Sequence, residues 1–582
     1  MLGALTTLSP PMRFMQRYDE TYGSVKWFND AGDDVDLTVL INHTQDDWLR
    51  EAKFIKENLT EDVIDKVFQK FPKEIDQHKI AKIKKALLGR IDGVEENAIN
   101  LYHYLRKNVI ITGTDKDDHF VITRKPNGIT NVSIYRIKHG EKGEKYWDVD
   151  YDKSVTNEIW IYGLDDKDIF EVVGVGNKYI KLKIIGGLNN DTYRINNKRG
   201  VRVFDQKSKK NTFETPVSKV LSDNYDLSTY YFKKNRRDVS QLMPIIGSNP
   251  DIGLKIGGNF TYTKNGLRRN PFTAKHNIQA AYFTSTSGIN VQYSGEFANI
   301  FEKVNLGIKA GFSSPDFTSN FFGYGNETLN FDDVLDFDYN RVRIERMNFS
   351  PSLIFRGFYG SLMELALSYE NIEVENTTDR FISIVNANPA VFEGQDFFGV
   401  QASYEYKSFD NEAQPKSGIG FKITTGYKSN FDEDRGFAYV IPELRLTTKI
   451  DRNGRLVFAT KFKAHFNLSD EFEFHQAATL GDGNGLRGFR QERFSGKTSF
   501  YQNSDLRYSI GRIRNSIIPI SFGIYGGLDY GRVWIDNDNS DKWHITPGGG
   551  LFFNISGFTT VNAAYFTSDD GGRLNIGLSL AF

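Results

Sequence analysis

The sequence contains no cysteine, which excludes a disulfide framework and any thiolate metal site. It also has almost no net charge. With 73 Lys and Arg spread among 74 Asp and Glu, there is no basic field to attract nucleic acid. Charged residues make up 25% of the chain, mean hydropathy is −0.46, and no apolar run approaches the roughly eighteen residues of a membrane helix, so a helical membrane bundle is excluded. The first residues, 1–14 (MLGALTTLSPPMRF), lack a basic front and place Pro10 and Pro11 where an export signal keeps its apolar core. An exported form of this sequence is therefore expected to be a mature chain or a fragment.

Aromatics and glycine are abundant instead: 46 Phe, 29 Tyr and 52 Gly among 582 residues. Spread through short alternating segments, they suit many strands, and a membrane barrel is one place where so many strands occur without a helix-type hydrophobic signal. The length also exceeds one ordinary core, so two or more domains are expected.

Residues 1–43 are expected to form a connector with one strand at 35–42 (VDLTVLIN). Thr44 before Asp46 and Asp47 is a helix start, followed by Trp48, Leu49, Ala52 and Ile55 at helical spacing. Thr60, Glu61 and Asp62 open a second helix, and 80–88 and 98–105 give two more, separated near Gly93. Residues 44–107 are thus a small helical block with a modest core, since no His, Asp or Glu pair recurs there at ligand spacing.

From about 108 the period changes to alternation, with short β-branched segments at 109–112, 119–123, 132–137, 158–162, 180–185 and 201–204. One pattern recurs: Gly113 before Asp118 and Phe120, Gly163 before Asp168 and Phe170, Gly186 before Asp191 and Tyr193. Gly and Asp suit a tight left-handed turn, and each aromatic then begins a strand over a stacked interior, as in a β-solenoid. We assign 108–206 to a solenoid-like module and 207–240 to a linker. Asp118, Asp168 and Asp191, with their acidic neighbours, are candidate calcium ligands through carboxylate oxygens, while Asx turns use the same residues without an ion. No other cofactor is expected.

The remaining residues, 241–582, alternate apolar and polar side chains in sixteen segments, near 241–248, 252–264, 274–286, 289–299, 302–314, 341–356, 361–375, 397–408, 418–428, 437–450, 454–467, 498–511, 518–533, 544–554, 557–567 and 573–582. Phe398, Val400, Tyr404 and Tyr406 alternate with Gln401, Ser403, Glu405 and Lys407. Ile524 and Leu528 alternate with Tyr525, Gly527 and Asp529. Aromatics on one face and charges on the other invert a soluble barrel and predict an antiparallel transmembrane β-barrel. An even count puts both ends of the barrel on one side, periplasmic if the helical and solenoid-like parts precede it. Long connections at 315–340, 376–396 and 468–497 occupy alternate positions against tight ones near 357–360 and 555–557. Pro244 in the first segment marks an edge strand, so the seam of the closed barrel lies between first and last strands, the latter carrying Leu578, Leu580 and Phe582.

The loop 480–497 (LGDGNGLRGFRQERFSGK), with Arg487, Gly488 and Phe489, resembles the sixth-extracellular-loop motif of the BamA/TamA superfamily of outer-membrane insertases and translocators. The resemblance covers roughly 240–582. It implies that the loop folds into the lumen and that Arg487 pairs with acidic residues on the next two strands, which match Asp505 and Asp529. The alternation places both carboxylates in the lumen. It further implies outer-membrane protein assembly, insertion or translocation, with lipid and client proteins, and with periplasmic lipoproteins, as partners. The family's βααββ periplasmic modules are not evident, and 15–240 looks like the connector of members fused to a calcineurin-like metallophosphoesterase. The metal motifs of such an enzyme are absent, and Gly481-Asp482 in the loop is not one of them. No catalytic constellation is present, so the chain is not expected to be an enzyme. Two functions follow: an insertase or translocator acting through the seam, or a barrel that anchors a phosphoesterase or other partner. A passive porin fits less well, because the loop fills its lumen.

Overall fold

Helix-start chemistry organises the beginning of the chain. In the computed structural model Thr44 caps the helix Gln45–Asn58 in a reciprocal capping box with Asp47. Thr60 precedes Glu61–Phe68, Asp76 caps Gln77–Asp92, and Gly93 both ends that helix and starts Val94–Leu105. The structure describes residues 16, 18–29, 32–41, 43–72, 74–232, 237–385, 389–513, 519–557 and 559–578, in two compact units divided between Arg237 and Asp238. Among the described residues no helix is long and apolar enough to cross a membrane.

Residue 42 is outside the described residues, and residues 35–39 of the strand expected at 35–42 lie instead in the helix Asp33–Val39. Its apolar positions fit either period over so short a run, and the acidic residues at its start favour a helix N-terminus. Asp33 at that end is buried and lies 2.8 Å from the Arg237 guanidinium. The core of the helical block is modest: Ala52, Ile64, Ala86 and Ile91 are buried, whereas Phe54, Val63 and Val67 stay exposed.

The next segment winds as a solenoid. Asn108–Thr112, Glu158–Leu164, Lys181–Gly187, Val201–Asp205 and Lys219–Leu221 stack in parallel on one face. Asp118–Arg124, Ile169–Gly174, Thr192–Ile195 and Thr212–Phe213 do so on the other, where the antiparallel pair Ile129–Lys138 and Glu141–Asp152 extends the sheet. The linker expected at 207–240 thus begins later, because Phe213 adds a rung by stacking its ring 4.8 Å from that of Tyr193. Phe120, Phe170 and Tyr193 continue the same column at 4.7 and 5.3 Å between centroids. Offset aromatic stacking adds to burial here.

The repeated glycines have a different reason from the turn expected of them. None of Gly113, Gly163 and Gly186 takes a positive φ. A Cβ on Gly163 would fall on the Asp168 carboxylate, and one on Gly186 would fall on that of Asp191. The pattern Gly-x-x-x-x-Asp therefore encodes close approach of a carboxyl to backbone, which only glycine permits.

The second unit is a closed antiparallel barrel of sixteen strands, from Val239–Asn249 to Gly571–Gly577. Each segment read from the sequence is a strand with ends moved by a few residues, the last over Gly571–Gly577 with 579–582 outside the described residues, and the short strand Thr318–Asn320 adds to the side of Arg341–Arg356. Phe398, Val400, Tyr404, Ile524 and Leu528 are exposed on the outer wall, while Asp505 and Asp529 are buried inside. Apolar outside and charged inside is the pattern of a wall facing lipid. At one mouth the long loops fold together: Phe321, Ile382, Val391 and Phe474 pack with Ile344, Ile372 and Phe397 of the wall. The opposite end has tight turns, with Phe358 and Tyr359 fully outside.

Candidate functional site

The loop between Leu456–Asn467 and Thr498–Ile513 enters the barrel and is held at its base by a two-stranded ribbon, Ala478–Leu480 with Phe494–Gly496. Its apolar residues Leu486, Phe489 and Phe494 are buried with Leu480, Tyr501 and Val533 of the loop base and wall. Phe489 also meets the ring of Phe494 edge-on at 5.1 Å. Gly488 runs so close to the wall that an added Cβ would lie 2.7 Å from the Thr567 carbonyl oxygen. The aromatic Phe489 is thus a packing anchor, and Gly488 is what allows the loop to lie flat.

This packing delivers Arg487 to the two carboxylates. Its Nη2 donates to Asp505 Oδ1 at 2.9 Å and to Asp529 Oδ1 at 2.5 Å, and its Nε donates to Asp529 Oδ2 at 2.9 Å. The backbone N–H of Arg487 also donates to Asp529 Oδ2 at 3.2 Å, and the Thr546 hydroxyl donates to the same oxygen at 2.9 Å. Asp505 Oδ2 accepts from Arg507 Nη2 at 3.0 Å. The guanidinium lies 3.9 Å from the Phe566 ring centroid. Two buried carboxylates need two buried cations, and the bidentate fork gives the geometry that such a pair requires. Gly527, which sequence reasoning passed over, makes room for it: a Cβ there would sit 2.7 Å from Asp505 Oδ1 and 2.8 Å from Arg487 Nη2.

Two further arginines also escaped the sequence reading. Arg490, fully buried, donates to Asp251 at 2.7 Å and Asp332 at 2.6 Å, with the Phe337 ring 3.7 Å away. Arg493 donates to Asp570 at 2.5 Å and to the Thr328 carbonyl at 2.7 Å. The signal was present as Arg-x-x-Arg-x-x-Arg, which on an inward loop repeats a buried cation every third residue.

The seam pairs Ser248 of the first strand with Ile576 of the last, the one register pair between them among the described residues. Pro244 lies in the first strand, where it faces Gly258 of the second. Leu578 is exposed on the outside. Leu580 and Phe582 lie outside the described residues.

Asp118, Asp168 and Asp191 are brought together as a ladder. The Asp118 N–H donates to Asp168 Oδ1 at 2.8 Å, that of Asp168 to Asp191 Oδ1 at 2.9 Å, and that of Asp191 to Asn211 Oδ1 at 2.9 Å. Among the described residues no group of three or more His, Asp or Glu is disposed to hold a metal ion. Burial, then the neighbouring carboxylate, pushes Asp168 up to about 9 and Asp191 up to about 8. Asp205, buried beneath Tyr193, is raised to about 6.

Residues 378–552 match the model of the haemolysin secretion/activation protein family ShlB/FhaC/HecB. Among curated proteins none is matched. The chain is similar to BamA from Haemophilus ducreyi lacking POTRA domains 1–3, at 14% identity and a TM-score of 0.43, covering 64% of this chain and 74% of that one. It is similar to CdiB from Escherichia coli at 10% identity and a TM-score of 0.40, covering 58% and 63%, and to CdiB from Acinetobacter baumannii at 12% and 0.38, covering 63% and 70%. With its lipid-facing wall and its folded-in arginine loop, the chain is an outer-membrane-type β-barrel that matches, over 378–552, the ShlB/FhaC/HecB family model.

Proposed function

We propose that this protein moves client polypeptides into or across the bacterial outer membrane, using the seam between its first and last strands, with the first unit in the periplasm. The observation that carries this is the loop fixed inside the barrel by Arg487 between Asp505 and Asp529, within the stretch that matches a secretion family. A passive pore needs an unobstructed lumen, and here the loop is packed inside against one side of the wall while an apolar cluster of long loops sits at one mouth. The helical and solenoid unit is the part available to a periplasmic partner, whether a client, a lipoprotein or a phosphoesterase.

Depletion of the protein in its own host tests this. Outer-membrane or secreted protein levels are expected to fall before growth slows, as read by quantitative proteomics of membrane and medium. Unchanged levels of both, with loss of a single bound enzyme from the membrane fraction, would instead identify an anchor.

A further inference from the structure

The loop does more than bind the wall beside it: it also reaches the two hairpins that flank the seam. Asp482 stands at the centre of this contact. Its Oδ2 accepts from Asn249 Nδ2 of the first strand at 2.9 Å, and its Oδ1 accepts from Asn575 Nδ2 of the last strand at 3.3 Å. One carboxylate therefore spans the seam from inside the lumen. Farther along the loop, Arg490 binds Asp251 in the first hairpin and Arg493 binds Asp570 in the last. The Gly488 carbonyl adds a bond from the Ser568 hydroxyl at 2.8 Å. The same short segment is thus tied to both sides of a junction whose backbone pairing, among the described residues, is Ser248 with Ile576.

We propose that the loop tip is a clasp on the seam, and that Asp482 is its positioning residue. The two strands cannot part without pulling Asn249 or Asn575 off the carboxylate, so seam opening is coupled to displacement of the loop. This rests on the seam reading above for its functional meaning, but the clasp itself is a property of the closed barrel. Arg487, Asp505 and Asp529 fix the loop to the wall, whereas Asp482 fixes the two edges of the wall to each other through the loop.

The test is hydrogen exchange on the full chain in lipid bilayers, comparing Asp482→Ala with the unaltered protein. Exchange of the Ser248 and Ile576 amides is expected to rise by roughly tenfold, the worth of a lost charge-assisted hydrogen bond, while amides around Asp505 and Asp529 keep their protection. The Asn249→Ala/Asn575→Ala pair, which keeps the loop sequence unaltered and removes besides the Asp482 bonds the Asn575 bond to the Arg487 carbonyl, is expected to do the same and covers the case in which Asp482→Ala fails to assemble. Unchanged seam exchange in the assembled variants overturns the clasp, whatever the transport activity. Faster seam exchange with client transport unaltered supports the clasp and counts against the seam as the route of transport.

Discussion

Replacing Arg487 by alanine is expected to lower the stability of the barrel by about 3–5 kcal/mol, the cost of leaving buried charges without their partner. The change removes the fork that serves Asp505 and Asp529 together, and leaves Arg507 beside the one and Thr546 beside the other. Arg487→Lys keeps the charge but reaches one carboxylate at a time, so an intermediate loss is expected. Gly527→Ala attacks the same lock from below, by placing a methyl between Asp505 and Arg487, and overpacking of this kind costs about 1–3 kcal/mol. The adjacent Gly526→Ala is the control, since nothing lies within 4 Å of a Cβ there. Urea unfolding in bilayers, followed by loss of the compact band on unheated gels, gives the order: unaltered and Gly526→Ala most stable, then Gly527→Ala and Arg487→Lys, then Arg487→Ala. An Arg487→Ala barrel as stable as the unaltered one would mean that the loop does not lock the wall.

The solenoid is expected to be more stable at pH 5 than at pH 9, the reverse of ordinary acid sensitivity. Asp168, Asp191 and Asp205 have folded values of about 9, 8 and 6, above the 3.8 of the free side chain. A raised value means that the folded state holds the proton more tightly than the unfolded state. The stability this contributes is complete below about pH 4 and is lost as pH climbs through 6 to 9. At about 1.4 kcal/mol per pKa unit each raised carboxyl contributes on the order of several kcal/mol. The geometry agrees with the sign: in Asp168 and Asp191, Oδ1 accepts a backbone N–H while the buried Oδ2 has no hydrogen-bond partner to offset a negative charge. Asn211 already fills the equivalent place on the next rung, so Asp168→Asn keeps the ladder bond without the charge. Protection factors of the Asp118 and Asp168 amides, corrected for intrinsic exchange, are expected to fall between pH 5 and 9 in the unaltered chain and to fall less in Asp168→Asn. Calcium needs the ionised carboxylates. Protection that rises with millimolar calcium at pH 8, and is lost in Asp168→Asn, would show that the ladder is charged and ion-bound.

Most of the barrel was legible because lipid outside and water inside force a strict two-residue period, and that period needs no knowledge of neighbours. Lock residues Arg487, Asp505 and Asp529 were legible for a different reason: the loop motif supplied one partner, and alternation supplied the face of the other two. Arg490 and Arg493 were missed because their partners, Asp251, Asp332 and Asp570, come from hairpins and loops far away in sequence, where no local period points inward. The helix at Asp33–Val39 was missed because seven residues are too few to separate a period of two from one of 3.6. In the solenoid the repeat was visible, but its cause was not. Glycine looked like a turn residue until the carboxyl lying over it could be seen.

The central claim is that client polypeptides pass by way of the seam. Since the chain has no cysteine, Ser248→Cys with Ile576→Cys introduces a single possible disulfide, at the one described register pair between first and last strands. Transport of client into or across the membrane is then measured with the pair oxidised and reduced in the same assembled protein. The account predicts that oxidation stops transport and that reductant restores it. Full transport with the seam covalently closed would contradict it.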